Sequence, residues 1–102
     1  MSNNLFISYE IGADATREEQ FRKAVMSLGN STPLLNCSWY VNSAYNADEA
    51  VKILSRQLTK DDKLLVVNTS TDSVCWAGFE EKHAQRIRQN WKMNLRKPVL
   101  AS

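Results

Sequence analysis

The chain has 102 residues, of which 43% are hydrophobic and 24% charged, a composition typical of one soluble globular domain. Its apolar runs are too short for a membrane-spanning helix, and its first residues lack the basic, apolar and small-residue pattern of a secretory signal. Cys37 and Cys75 lack metal-ligand spacing. We interpret them as buried, reduced thiols of a cytoplasmic protein, with a disulfide as the alternative.

The net charge of +2 conceals an asymmetry between the two ends of the chain. Residues 82–102 contain six basic residues and no acid, whereas residues 1–81 contain seven basic residues and all eleven acids. A segment of charge +6 beside a body of charge −4 can attract a polyanionic partner.

The first predicted element is a strand at residues 5–11, in which side chains alternate between two faces. One face, suited to packing under helices, carries Leu5, Ile7, Tyr9 and Ile11. The other, more mixed face carries Phe6, Ser8 and Glu10.

A loop at residues 12–15 leads to a predicted helix, with Thr16 as N-cap and Glu19 three positions later. Gly29 is its expected C-terminal stop. The buried stripe of this helix is predicted to consist of Phe21, Ala24, Val25 and Leu28.

Residues 33–43 are β-like, and Asn36-Cys37-Ser38 forms either a hairpin turn or a bend in one longer strand. Asn46 and Glu49 predict a capping box for a second helix. The buried face of that helix should contain Ala50, Val51, Leu54 and Leu58. A polar turn at residues 59–62 releases the chain into a strand at residues 63–69, and we interpret Asp61-Asp62 as turn residues rather than paired metal ligands.

A third helix is predicted from Phe79 to about Asn94, and residues 97–100 could add an edge strand. The order of the elements predicts an α+β, ferredoxin-like βαββαβ domain, an antiparallel sheet with helices on one face plus a C-terminal basic helix. We assign one domain to residues 1–102, with a core at about 4–78 and a basic extension at about 79–102. The uncovered face would expose Phe6 and part of the Trp39/Tyr40 pair, which favours a homodimer that covers it.

Several short motifs taken together resemble a known family. The Ser-Tyr-Glu-Ile strand, the helix ending in Leu-Gly, the Cys-Ser-Trp-Tyr-Val strand and the Lys-Asp-Asp-Lys-Leu-Leu-Val-Val segment look like SinR-like proteins, relatives of CRISPR-associated protein two and, more distantly, of VapD toxins. The resemblance covers roughly residues 4–78. It implies a ferredoxin-like homodimer in which two strand-end acids face each other and can hold Mg²⁺ or Mn²⁺ for phosphodiester cleavage.

By this resemblance Tyr9 falls on the family's tyrosine, Glu10 on its aspartate, and Ser38 on a small polar residue that opens a later strand. Glu10 would then be the catalytic residue and metal ligand, and Ser38 a second catalytic-site residue. The alternative for Glu10 is a solvated strand-end glutamate near Lys63. Glutamate is one methylene longer than aspartate, which changes the placement of its oxygens around an ion that needs near-octahedral geometry.

The basic extension suggests a nucleic-acid-binding stripe on the third helix. Its candidate phosphate contacts are Lys82, Arg86, Arg88 and Lys92. The alternative is an ordinary solvated cationic helix, and we interpret His83, the only histidine, as a surface residue of that helix. The function expected is a nucleic-acid-binding homodimer with metal-dependent endonuclease activity on RNA or DNA. The alternatives are a non-enzymatic dimerisation or adaptor module and a VapD-like toxin.

Overall fold

The chain folds into one five-stranded antiparallel sheet with three helices, in a computed structural model that describes residues 2–97. The strands are β1 (Asn3–Glu10), β2 (Gly29–Leu35), β3 (Ser38–Ser43), β4 (Lys63–Asn68) and β5 (Ser73–Ala77). The helices are α1 (Ala15–Met26), α2 (Ala47–Ser55) and α3 (Glu81–Asn90). The suggested edge strand at residues 97–100 lies, apart from its first residue, outside the described residues.

The strand order is β2-β3-β1-β4-β5, with β1 at the centre and antiparallel to both neighbours. The predicted α+β class is confirmed, and the topology is compatible with a ferredoxin-like fold. The sequence analysis did not predict β5, which pairs along β4 after the turn at residues 69–72. Its five residues are too few to show a clear alternation of apolar and polar side chains.

The hydrophobic core lies between one face of the sheet, here called the first face, and helices α1 and α2. Leu5, Ile7 and Tyr9 of β1 are buried there, as predicted. They meet Phe21 and Val25 of α1 together with Ala50 and Leu54 of α2, and the Tyr9 and Phe21 ring centroids are 4.6 Å apart. Each fully buried side chain of this size stabilises the fold by about 1.5–3 kcal/mol.

The two helix starts test the predicted caps. For α2 the prediction is confirmed, because the Asn46 side chain accepts from the Glu49 backbone N–H at 2.9 Å and the Glu49 carboxylate accepts from Asn46 N–H at 3.0 Å. For α1 it is wrong. Asp14 is the N-cap, and its carboxylate accepts from the backbone N–H groups of Thr16 and Arg17. A carboxylate at a helix N-terminus also has favourable electrostatics, and it outcompetes the hydroxyl of Thr16.

The hairpin alternative for residues 33–43 is the one that forms, but its first strand begins earlier, at Gly29. Gly29 is therefore not the stop of α1, which ends at Met26 with Ser27 as C-cap. A Cβ atom at Gly29 would lie 2.1 Å from the Asn42 carbonyl oxygen. Glycine is needed at this position because the backbones of β2 and β3 approach closely.

The third helix, for which no side of the sheet was predicted, packs on the face opposite to α1 and α2, here called the second face. Ile87 lines grooves with Leu65, Val67 and Val74, whose side chains point away from the core. Phe79 stacks on Trp76 at 6.4 Å just before the helix, which is shorter than predicted at both ends. The part of the second face over β4 and β5, which a dimer was expected to cover, is thus next to a helix of the same chain.

The rest of the second face, over β1 and β3, has no helix on it in the described part of the chain. We call this surface the open strip. It consists of Asn4, Phe6, Ser8, Tyr40 and Asn42.

Cys37 and Cys75 are not bonded to each other in the structure. Both are half-buried rather than fully buried, and burial raises the pKa of the Cys75 thiol. Within residues 2–97, no helix combines the length and the apolar character needed to cross a membrane.

Asp62 is the only acidic residue that is fully buried in the described part of the chain. Its carboxylate accepts from the Gly12 backbone N–H at 3.0 Å, from the Thr59 N–H at 2.8 Å and hydroxyl at 3.1 Å, and from the Arg17 guanidinium, with which it forms an ion pair. A Cβ at Gly78, where φ is +86°, would lie 2.0 Å from the Asp62 carbonyl oxygen. Asp62 therefore joins the β1–α1 loop, α1 and the α2–β4 turn, against the end of β5. The interpretation of Asp61-Asp62 as a turn is confirmed, but it missed this ionic network.

Replacing Asp62 by asparagine should lower the free energy of unfolding by about 2–4 kcal/mol, because the amide removes the charge beside Arg17 and places an NH₂ among donors. Asp61→Asn is the matched control, since Asp61 is exposed, and should change stability by less than about 0.5 kcal/mol. Urea denaturation of the three proteins measures both effects. Equal stability of the two variants would contradict a structural role for Asp62.

The dependence of the stability on pH follows from the Asp62 carboxyl group. Burial alone would raise the pKa of Asp62, but hydrogen bonds from Thr59, Arg17 and Gly12 outweigh it and hold the pKa well below its usual range. A pKa lowered in the folded state gives stability that is present above the unfolded-state value of about 3.9 and is lost as the pH falls. The free energy of unfolding should therefore decrease more steeply below about pH 4 in the wild type than in Asp62→Asn.

Candidate functional site

Glu10 lies at the C-terminal end of β1 on the second face of the sheet. It pairs in register with Lys63, and its carboxylate is 3.8 Å from the Lys63 ammonium group. The Glu10 side chain is 73% exposed. A shallow groove beside it is lined by Ser8, Lys63, Leu65 and Phe79. Within one chain, Glu10 thus fits the solvated glutamate near Lys63 that the sequence analysis held as the alternative.

Tyr9, the other residue of the Tyr-Glu pair, points in the opposite direction. It is buried in the core, and its hydroxyl accepts from the Trp39 indole N–H at 3.4 Å. Burial raises the pKa of Tyr9, with the Trp39 hydrogen bond opposing that shift. Tyr9 anchors the end of β1 but does not reach the surface that carries Glu10.

Ser38 opens β3 on the same face as Glu10, so the structure brings the two proposed catalytic residues to one end of the sheet. The Ser38 residue is only 6% exposed, and its hydroxyl donates to the Ser8 hydroxyl at 3.3 Å. Ser8 pairs in register with Ser38. Neither serine has a histidine or carboxylate as a hydrogen-bond partner within residues 2–97, so this pair lacks the base that a serine nucleophile requires.

A metal ion does not fit the residues that one chain supplies. Among the described residues, no three histidine, cysteine, aspartate or glutamate side chains come together. Asp14, the nearest acid in the following loop, caps α1. One exposed carboxylate already paired with an ammonium group is a poor ligand set for Mg²⁺ or Mn²⁺. A shared site would need at least a second Glu10 from another copy.

Three of the four candidate nucleic-acid contacts, Lys82, Arg86 and Arg88, lie on α3, whereas Lys92 lies just after its end at Asn90. Arg88 and Lys92 line a groove with Trp76 near the β5 edge. Arg88 sits over the Trp76 ring, 5.5 Å from its centroid, and pairs with Glu81 at 3.1 Å. Lys92 pairs with Asp72 at 3.0 Å. These two cations help hold α3 against the sheet, and their charge is largely compensated.

Lys82 and Arg86, four residues apart, lie on the outward side of the helix, since each residue advances by about 100°. Lys82 is 3.7 Å from Glu80. Arg86 has no acidic partner within 4 Å in the described part of the chain, and it lines a groove with Lys63, Phe79 and the exposed His83. Arg86 is therefore the cation of this set most available to a phosphate group.

The open strip carries two aromatic side chains, which were expected from the sequence only as part of a dimer interface. Phe6 and Tyr40 stand directly opposite each other on β1 and β3. The Tyr40 hydroxyl donates to the Asn4 side-chain oxygen at 2.6 Å, and the Asn42 amide donates to the same oxygen at 3.1 Å. Trp39, by contrast, is buried on the first face. The alternation along β3 could have separated Tyr40 from Trp39, had the register of the hairpin been known.

A larger cleft lies elsewhere, between α1 and α2 on the other side of the sheet. It has a volume of about 680 Å³ and is lined by Arg17, Lys23 and Arg56 but by no carboxylate. Arg17 is already bound to Asp62. This cleft contains none of the candidate catalytic, metal-binding or nucleic-acid-binding residues.

No protein-family model, curated protein or solved structure matches this chain. The resemblance to SinR-like proteins and relatives of CRISPR-associated protein two therefore stays a hypothesis that rests on the short motifs alone.

Replacing Glu10 by glutamine should leave the free energy of unfolding within about 0.5 kcal/mol of the wild type. Its ion pair with Lys63 is exposed, and such pairs contribute about 0–1 kcal/mol. Urea denaturation beside the destabilised Asp62→Asn variant gives the comparison. A loss above about 1.5 kcal/mol would show that the Glu10 carboxylate is structural, and it would remove Glu10→Gln as a clean probe of activity.

Proposed function

We propose that this protein binds nucleic acid on the second face of its sheet. The observation that carries the proposal is a pair of neighbouring grooves that share Lys63. One groove contains Lys63 and Arg86, and the other contains Lys63 and Ser8 of the open strip, so two cations follow one another from the strip toward α3. Phosphate groups need such accessible cations. Glu80 lines the groove of Arg86 and Glu10 pairs with Lys63, so these two acids oppose phosphate at this end of the sheet and limit the affinity.

The arrangement supports binding more strongly than catalysis. Contacts between cations and phosphates hold a nucleic acid in place without reading its sequence. Hydrolysis needs in addition a nucleophile and stabilisation of the developing charge, and the residues around Glu10 supply neither within one chain. We infer a cytoplasmic location, because both cysteines are unpaired and half-buried, as is usual in a reducing compartment.

The endonuclease activity implied by the family resemblance is a second proposal, and it depends on a homodimer. Two copies would have to bring their Glu10 carboxylates to one ion, since a single chain offers one such carboxylate. The dimer would have to use the part of the second face that α3 leaves uncovered. Light scattering at tens of micromolar tests it directly, and a strictly monomeric mass would remove the shared site.

The alternative function, a non-enzymatic adaptor, is favoured by a different observation. At the turn between β2 and β3, Leu34 and Leu35 are 50% and 72% exposed. Exposed leucines on an edge strand suit a protein partner rather than a polyanion. A protein that fails to retard any nucleic acid at low salt would favour this function.

Arg86→Gln should weaken binding to single-stranded RNA or DNA about fivefold, the loss expected for one phosphate contact, and should reduce the slope of log affinity against log salt by about 0.7–1. Arg56→Gln is the matched control, because Arg56 lies in the cleft between α1 and α2. Fluorescence anisotropy over a salt series measures both quantities. An unchanged slope in Arg86→Gln, or an equal loss in Arg56→Gln, would contradict binding on the second face.

If two copies share a metal at Glu10, the wild type should cleave RNA or DNA in Mn²⁺ or Mg²⁺, and Glu10→Gln should reduce the rate by at least about 100-fold. Glu19→Gln is the control, since it removes an exposed carboxylate on α1, on the other side of the sheet from Glu10. Denaturing gels resolve the products. Identical product patterns from wild type and Glu10→Gln would exclude the endonuclease proposal while leaving nucleic-acid binding intact.

A further inference from the structure

We propose that the open strip is a stacking platform for the bases of single-stranded nucleic acid, with the Phe6 and Tyr40 rings as its two stacking surfaces. This inference rests on the proposed function and specifies the ligand class and the residues that contact the bases.

Phe6 and Tyr40 occupy adjacent strands near the middle of the sheet, and their backbones pair directly. Aromatic side chains at such positions are usually buried by a helix or a second sheet. Here neither ring belongs to the buried core, and Tyr40 is 37% exposed. Directly opposed side chains on antiparallel strands have Cβ atoms about 5 Å apart, a separation that two neighbouring bases can span.

The tyrosine is held in position before any ligand binds. Its hydroxyl donates to the Asn4 side-chain oxygen at 2.6 Å, which restrains the ring. A ring already restrained loses less conformational freedom on binding, so more of the stacking energy contributes to affinity. Stacking tolerates every base because each presents a flat π-face.

Amide groups beside the rings supply polar contacts of the kind that base edges need. The Asn42 amide nitrogen and the Tyr40 hydroxyl both donate to the Asn4 oxygen. The Asn4 amide nitrogen and the Asn42 oxygen then have no hydrogen-bond partner among residues 2–97. A donor and an acceptor are thus presented together beside the aromatic pair, and both can pair with the edge of an unstacked base.

The same composition argues against a second copy of this chain as the occupant. The centre of a homodimer interface is apolar, whereas the open strip mixes two rings with Asn4, Asn42 and Ser8. Burying those amides against an identical surface would leave polar groups without partners. A base covers a ring with its π-face and satisfies an amide with its edge.

The open strip and the cations near it favour single-stranded over duplex nucleic acid. Lys63 lines a groove with Ser8 of the strip and a second groove with Arg86, so the two cations can contact the phosphates of a strand whose bases lie on the sheet. In a duplex the bases are stacked inside the helix and cannot lie flat on the rings. The strip should therefore prefer single strands to duplex of the same composition.

The test compares binding of a fluorescein-labelled single-stranded oligonucleotide of about 12 nucleotides with binding of the matching duplex. Phe6→Leu and Tyr40→Leu should each weaken single-strand binding by about tenfold, and Tyr40→Phe should keep most of the affinity because the ring remains. Tyr45→Leu is the matched control, since Tyr45 is a tyrosine of similar exposure, 40%, outside the sheet. Its affinity should equal that of the wild type.

A second measurement uses the unaltered protein, so that the outcome does not depend on a variant folding. Photocrosslinking to a single strand containing a halogenated uracil, followed by mass spectrometry, should mark residues 4–8 or 40–42. Crosslinks confined to other elements would overturn the proposal, as would full affinity in both leucine variants. If Arg86→Gln weakens binding while the leucine variants do not, the stacking platform is wrong and the proposed function survives.

Two other outcomes would also overturn the proposal. Wild type that binds neither single strands nor duplex at low salt would remove the platform and the proposed function together. A stable dimer by light scattering that Tyr40→Leu converts to monomer, without an effect of added oligonucleotide, would assign the open strip to a second copy of the chain.

Discussion

The rest of the structure depends on one buried carboxylate. Asp62 is held by the Arg17 guanidinium and by donors from Gly12 and Thr59, so a single side chain connects the β1–α1 loop, α1 and the α2–β4 turn. A buried charge destabilises the fold unless it is fully paired. The loss of any one of these contacts would therefore leave the charge incompletely paired and weaken the whole network. Gly78 extends the constraint to the end of β5, because any side chain there would collide with the Asp62 carbonyl group. The network therefore sets where β1 ends and β4 begins, and with them the positions of Glu10 and Lys63.

This constraint separates the residues that serve the fold from those that face solvent. Tyr9 and Glu10 are neighbours in sequence, yet the alternation along β1 directs Tyr9 into the core and Glu10 into solvent. The same alternation along β3 buries Trp39 and exposes Tyr40. Asp62, the fully buried acid, consequently stabilises the fold and is not available to a surface site. The acid that a metal site would use, Glu10, is left with one exposed lysine as its partner.

Features set by residues that are close together in the sequence could be predicted, whereas features that depend on contacts between distant residues could not. Elements with a clear period were predicted correctly, such as β1 with its alternating face and α2 with its Asn46/Glu49 capping box. Features for which the sequence offers two similar local alternatives were not predicted correctly. Asp14 and Thr16 can both cap α1, and the Asp14 carboxylate is favoured over the Thr16 hydroxyl by its charge at the helix N-terminus. The side of the sheet that α3 covers depends on Trp76 and Phe79, whose contact arises only after β5 has paired with β4. The partner of Asp62 is 45 residues away in the sequence, so the spacing of charges along the chain carried no sign of it.

The covering of β4 and β5 by α3 also changes what the second face can do. A fully exposed second face would present one wide surface, suited to a large dimer interface. With α3 in place, the uncovered part narrows to the strip over β1 and β3, which lies between β4, with Lys63 at its start, and the edge strand β2. A narrow strip with two rings, two amides and a cation at one border matches an extended single strand in shape as well as in chemistry. It matches a second copy poorly, because α3 stands above the sheet and limits how closely another sheet can approach. The dimer interface required for a shared Glu10 site and the binding of bases would therefore use the same surface. A protein that has dimerised through this surface could not bind bases there at the same time.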